Sequence, residues 1–369
     1  MGLLHEGQVI RGTYEVDRFL GEGAFAEVYR VKHRFLGRQA MKVFKMVGMT
    51  VEEVEQYLDE AIILSRVGHP NIVRVFDANV AETSRGLCGF FTMEYVAGGS
   101  LEKFWRSYGA QFVPAETAVE IMRQVCRGIA VAHAEKPPII HRDIKPQNIL
   151  VGYDASGLRA RVSDFGLAKR VNPLTLMASA RGTRCFKPPE VFINYQCDSC
   201  AGDVWALGST LYLLLTDRLP FAELGGIDLF DGTSFERPMI PPSRLNIQVD
   251  AALDQIVCKA LALKSPDRYP SARELLDDLC RWEPTPPGRA RPQPKDGIAS
   301  AVSKNALGVH SPTDEDIAEK MTERALELAR ETGRLLEAAD LMEEAFNKSP
   351  HLRPRFEAQL KVWRRGISM

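Results

Sequence analysis

Across residues 14–44 apolar positions alternate with polar ones, at Val16, at Phe19 and Leu20, around Val28 and Tyr29, and again from Ala40 to Phe44. A two-residue period punctuated by glycine predicts short strands. Over residues 52–67 the period lengthens to one helical turn. Val54, Leu58 and Ile62 then share a face, and a helix is expected. Strand signals return at 73–77 and 89–95. After Gly98-Gly99 helical spacing takes over and persists through 114–135, and 198–282 reads as mostly helical with proline interruptions. A strand-rich stretch followed by a helix-rich one predicts an α+β chain with two lobes and a cleft between them.

The pattern breaks at 283–313. Pro284, Pro286, Pro287, Pro292 and Pro294 stand among Arg289, Arg291 and Lys295, with few large apolar residues. Such a stretch cannot bury a core and is expected to be an extended linker. Helical spacing resumes over 317–350, as two helices broken at Thr332-Gly333-Arg334, with a third helix expected at 355–364. Ala325, Ala329, Ala338, Met342, Ala345 and Pro350 fall at spacings similar to one tetratricopeptide repeat, although small residues at helical spacing are also what close helix packing requires. Residues 314–344 hold eleven acids against four bases, whereas 348–365 hold six bases against one acid, so these parts are expected to attract one another. A single repeat buries little by itself. The tail is therefore read as a site for a protein partner or substrate, with docking on the rest of the chain as the other reading. Four parts result: a lead-in (1–13), a large domain (14–282), a Pro-rich linker (283–313) and a small all-α tail (314–369).

Composition narrows the function classes. Apolar residues make up 45% and charged residues 26%, enough for a sizeable core, while a net charge of −1 gives no basic surface for nucleic acid or an anionic membrane. No apolar run approaches the roughly 18 residues a spanning helix needs. The best candidate, 206–216, is interrupted by Gly208, Ser209 and Thr210 and reads as a buried core helix. Met1-Gly2 is followed by Glu6 where a myristoylation signal has Ser or Thr. Seven scattered cysteines, Cys197 and Cys200 among them, read as reduced thiols of a cytoplasmic protein.

Candidate chemistry begins at Gly21-Glu22-Gly23-Ala24-Phe25-Ala26, between two predicted strands. Glycines let backbone N–H groups approach phosphate oxygens with no Cβ in the way, though an ordinary hairpin turn has the same composition. Lys42, on a later strand, gains meaning beside Glu60 on the helix that follows, because a lysine held by a glutamate is aimed at phosphates with its charge intact. The informative run is Ile139-Ile140-His141-Arg142-Asp143-Ile144-Lys145-Pro146-Gln147-Asn148, then a hairpin turning at residues 154–157, then Asp164-Phe165-Gly166. The hairpin folds the chain back so that Asp164 approaches Asn148. Two oxygen donors there suit Mg²⁺. Asp143 is placed to accept a hydroxyl proton, and Lys145 to neutralise a migrating phosphoryl group.

On these motifs, residues 14–282 resemble the protein kinase family in its Ser/Thr form, given Lys145, and are most similar to the eukaryotic-like kinases of bacteria. The resemblance implies the bilobal kinase fold, ATP and Mg²⁺ as cofactors, and a protein substrate. It implies Asp143 as catalytic base with Lys145, Lys42 and Glu60 in the catalytic set, and Asn148 and Asp164 as metal ligands. Nucleotide contacts are implied at Leu20, Gly21, Gly23, Val28, Ala40, Lys42, Glu94, Val96 and Leu150, with Met93 at the inner end of the hinge. Thr183 is expected to bridge Asp143 and Lys145, Asp203 to hold the catalytic loop, and Arg268 to pair with Glu190. Arg142, together with Lys169, implies switching by a phosphate on Thr175 or Ser179, and so autophosphorylation. Ala26 departs from the Gly-rich pattern, which keeps an ATP-binding scaffold without turnover as the alternative.

Overall fold

In the computed structural model, described residues are 2–109, 112–165, 184–194, 197–221, 235–284, 314–331 and 333–367. The first lobe is built on an antiparallel sheet of β1 (Val9–Ile10), β2 (Tyr14–Glu22), β3 (Ala26–His33), β4 (Gly37–Val47), β5 (Val75–Thr83) and β6 (Gly86–Glu94), in the order β1-β2-β3-β4-β6-β5. Alternation along β4 sends Ala40, Lys42 and Phe44 to one face, and Lys42 stands opposite Val28 on β3 and Phe91 on β6. The lead-in is part of this lobe. Leu3, Leu4 and Ile10 are buried in its core, and the Leu3 and Leu4 amides donate to Glu27 and the Tyr29 hydroxyl. Helix α1 (Val51–Val67) starts on a capping box between Thr50 and Glu53 and stops at Gly68 in the left-handed region, φ 68°. Its buried stripe of Val54, Leu58, Ala61 and Leu64 fixes which way Glu60 points.

The second lobe packs α2 (Leu101–Arg106), α3 (Ala115–Ala134), α4 (Pro189–Ile193), α5 (Cys200–Thr216), α6 (Ala251–Ala260) and α7 (Ala272–Arg281) around one core. Helix α5 is buried on all sides, and a Cβ at Gly208 would meet the Ala260 side chain at 2.9 Å, so the glycine permits close approach of α6. A hairpin of β7 (Ile149–Asp154) and β8 (Gly157–Val162) lies at the cleft, turning where Asp154 faces Gly157.

The tail forms α8 (Asp314–Leu328), α9 (Leu335–Lys348) and α10 (Arg353–Arg364). Ala318, Ala325, Ala338, Met342, Ala345, Phe346, Leu360 and Trp363 make its core, the small residues allowing α8 and α9 to pack closely. The tail is seated on the rest of the chain, with Tyr153 of β7 packed edge-on against Phe346 at 5.9 Å. Its acidic face meets first-lobe arginines as well as its own basic end, beyond the internal attraction expected from its charge pattern. Among the described residues, no helix is long and apolar enough to cross a membrane.

Candidate active site

The loop between α3 and β7 is suspended from a buried carboxylate. Asp203 of α5 accepts from the His141 amide at 2.7 Å and the Arg142 amide at 2.9 Å, and meets His133 Nε2 at 3.0 Å. Burial alone would lower the His133 pKa. The hydrogen bonds and charges of Asp203 and Cys200 together outweigh it and push the value up to about 9, while His133 and His141 in turn hold Asp203 below the usual carboxylate range against burial. The loop is held further by His141 Nε2 on the Ser163 carbonyl at 2.9 Å, and by Lys187 Nζ on the Arg142 carbonyl. Burial depresses the Lys187 pKa. With both amides tied, Arg142 adopts φ 69°, a left-handed conformation unusual for a long side chain.

From this scaffold Asp143 projects into the cleft. Lys145 Nζ lies 2.7 Å from Asp143 Oδ2, and Asn148 Nδ2 donates to the same oxygen at 2.9 Å and to the Asp143 carbonyl at 2.8 Å. The β7–β8 hairpin returns the chain as expected, since the Ser163 amide bonds the Asn148 carbonyl at 2.9 Å and Asp164 follows directly, at φ 65°. Asp143, Lys145, Asn148 and Asp164 thus share one wall of the cleft. Val28, Ala40, Met93 and Leu150 gather in a single apolar cluster, the first three from the first lobe and Leu150 from β7. Val96 is buried, and the Glu94 side chain turns aside to Arg161 at 3.1 Å. Leu20 and Gly21 lie on β2, and the Gly23 amide bonds the Ala26 carbonyl at 2.8 Å. A Cβ at Gly21 would meet no protein atom within 4 Å, and its φ lies outside the left-handed region. Neither packing nor backbone angle requires glycine there, which leaves room for a group outside the protein to approach the main chain.

One expected pairing differs. Lys42 binds Asp164 Oδ1 at 2.8 Å rather than Glu60. The Glu60 carboxylate faces Arg142, whose Nη1 lies 3.1 Å away, while Arg142 Nε reaches Asp198 at 2.6 Å. Burial works against the Arg142 charge, and Asp198 and Glu60 outweigh it. The physical reason is competition. Lys42 and Asp164 satisfy one another, and Arg142 competes for the Glu60 carboxylate.

In the second lobe, Arg268 Nη1 and Nη2 form two parallel bonds of 2.7 Å with Glu190, as expected. Thr175, Ser179, Thr183, Lys169 and Gly166 lie outside the described residues. Asp198, Lys187 and His133 were not singled out from sequence. Lys187 and Asp198 lie within segments noted in the sequence but received no role there, because each, like His133, acts through a partner about 45 to 70 residues away.

Residues 14–286 match the family model described as protein kinase domain. The chain is 31% identical over 300 residues to serine/threonine-protein kinase PknB of Mycobacterium leprae, covering 80% of this chain and 47% of that protein. It is 32% identical over 274 residues to serine/threonine-protein kinase ATG1b of Arabidopsis thaliana, covering 74% and 36%. The chain therefore spans less than half the length of these relatives. Among solved structures, the Mycobacterium tuberculosis PknI kinase domain aligns at TM-score 0.54 and 25% identity, over 75% of this chain and 98% of that one.

Proposed function

Because the chain belongs to the protein kinase family, we propose that it transfers the γ-phosphoryl group of ATP to Ser or Thr hydroxyls of proteins. The observation that carries this reading is the Asp143 carboxylate held between Lys145 and Asn148 on a loop anchored to Asp203. In that position Asp143 accepts the proton of the attacking hydroxyl, and Lys145 neutralises charge on the group in flight. Transfer needs little covalent chemistry from the protein, so positioning and charge dominate. The adenine ring fits between Val28, Ala40 and Leu150, with main-chain partners at Glu94 and Val96. The main chain at Leu20, Gly21 and Gly23 covers the phosphates.

The donor set fits Mg²⁺. Asp164 Oδ1 is buried with Lys42 as its ion partner, and Asn148 spends its amide nitrogen on Asp143, which leaves the oxygen end of the amide for a ligand. Asn148 and Asp164 would hold the ion, which when bound neutralises phosphate charge. Lys42 would then turn to the phosphates with Glu60 as its support, a carboxylate that Arg142 also holds. A phosphate on Thr175 or Ser179 supplies an anion that competes for Arg142, so autophosphorylation is the switch we favour.

The division into lead-in, kinase domain, linker and tail at 13, 282 and 313 belongs to this proposal, as does α8–α9 as one tetratricopeptide-like hairpin. Incubation with labelled ATP and Mg²⁺ tests it. Label on Ser or Thr in the wild type, absent from Asp143→Ala and Asp164→Ala, is the expected result. ATP binding without label, persisting after exposure to cell extract and with an acidic residue at Ser179, would replace this reading with the scaffold.

A further inference from the structure

The tail does more than cover a surface, because its contacts fall on both lobes across the back of the hinge. On the first lobe, Glu344 pairs with Arg18 of β2 and lies 3.7 Å from Arg30 of β3. Arg38 of β4 pairs with Asp340, and with Glu337 at 3.1 Å. On the second lobe, the Tyr153 amide donates to Glu343 Oε1 at 3.1 Å, and Asn347 donates to the Gly98 carbonyl. Arg353, buried, lies over the Phe104 ring at 4.3 Å and bonds the Ser107 hydroxyl at 3.1 Å. Two lobes separated by a hinge are thus tied to one rigid three-helix body.

The centre of the seat is a close fit. Glu343 is 2% exposed and rests against Gly98 and Gly152, where added Cβ atoms would lie 3.2 and 3.1 Å from its Oε2. Arg364 holds its other oxygen at 2.6 Å and also reaches Asp340 at 2.8 Å, linking the seat to the Arg38 pair. Burial pushes the Glu343 pKa up to about 7 against the pull of Arg364, and both of its hydrogen bonds, from Arg364 and the Tyr153 amide, fall on Oε1, so unseating the tail would strip a buried group of its partners.

We propose that the tail is an intramolecular brace that fixes the angle between the lobes and thereby restrains turnover. This rests on the kinase reading above. Closing the cleft over a nucleotide rotates the lobes about the hinge, and a body bonded to both behind that hinge resists rotation in either direction. In the braced arrangement Lys42 is engaged with Asp164 and Glu60 with Arg142, so the angle being held is one in which the phosphate-anchoring pair is apart. Whatever unseats the tail frees the lobes to close.

The test uses the full chain. Arg18→Glu with Arg38→Glu repels the acidic face of α9 from sites outside the catalytic machinery. Adding Glu344→Arg and Glu337→Arg restores opposite charges between positions 18 and 344 and between 38 and 337, while Asp340 and Arg30 remain as like-charge neighbours of positions 38 and 344. Hydrogen exchange is followed in peptides spanning 149–158 and 335–348, and kcat on a Ser/Thr peptide is measured alongside it. Exchange about tenfold faster in the repelling variant is expected, with a kcat about three- to tenfold higher, both partly reversed in the swapped variant. Unchanged exchange would mean that the tail is not seated, and a lower kcat would mean that it supports turnover; either overturns the proposal. If exchange opens while no variant, wild type included, transfers phosphate, the seat stands but the kinase reading falls, and the restraint on turnover with it.

Discussion

Replacing Asp203 by Asn removes one charge and turns one acceptor into a donor at the point from which the catalytic loop hangs. Oδ2 receives the His141 amide and His133, and Oδ1 receives the Arg142 amide. An Asn side chain can keep its oxygen toward one side only, so at least one buried N–H then faces an NH₂ group. A charge-assisted bond is worth about 1.5–3 kcal/mol, and a buried donor left unsatisfied costs about 1–3 kcal/mol. Their sum, with the surviving bonds weakened by loss of charge, gives a destabilisation of roughly 3–5 kcal/mol. In a domain of this size each kcal/mol lowers the melting temperature by about 2–4 °C, so a fall of roughly 6–20 °C is expected. The loop should also relax, because Arg142 holds φ 69° only while its amide is tied. A displacement on the scale of 1 Å at Asp143 lowers kcat by about 100-fold, to be measured well below the variant's melting point. Asp198→Ala is the control. Asp198 also binds Arg142 but is half-exposed, so its loss costs under about 1 kcal/mol. A shift below about 2 °C for Asp203→Asn, with wild-type kcat, would refute the anchoring argument.

Two further outcomes follow from buried charge. The His133 pKa is raised to about 9 from an ordinary 6.5, so its protonated form stabilises the fold fully below pH 6.5 and that contribution is lost as pH rises through 9. Thermal melts should show a decline between these values of roughly 2–3 kcal/mol that Asp203→Asn lacks, and parallel profiles for the two proteins would contradict it. Glu190→Ala leaves the fully buried Arg268 guanidinium without a countercharge, held only by the Ala201, Ala262 and Leu263 carbonyls, and should cost about 3–5 kcal/mol by calorimetry. The double variant Glu190→Ala/Arg268→Met should be less destabilised than Glu190→Ala alone, and a strictly additive loss would argue against the pair.

What the sequence by itself determined is local. The two-residue alternation of 14–44, the turn at residues 154–157 and the helical spacing over 114–135 each depend on neighbours within a few positions, so strands, hairpin and helices were legible from the chain. The order His141-Arg142-Asp143 through Asn148 to Asp164 was legible for the same reason, because one short hairpin forces those residues together. The two-lobe architecture followed from the sum of such segments. The tertiary structure alone decided which of several similar charges meet. Lys42 has both Glu60 and Asp164 as possible partners, and Arg142 has Glu60 and Asp198. The choice depends on where α1 sits over the sheet, which no spacing records. The lead-in is short and carries no motif, yet Leu3 and Leu4 are core residues, their amides satisfied by Glu27 and Tyr29 more than twenty positions on. Most remote is the seat of the tail. Arg18 and Glu344 stand 326 positions apart, and their meeting depends on the shape of the whole first lobe and on two glycines that leave space for one buried carboxylate.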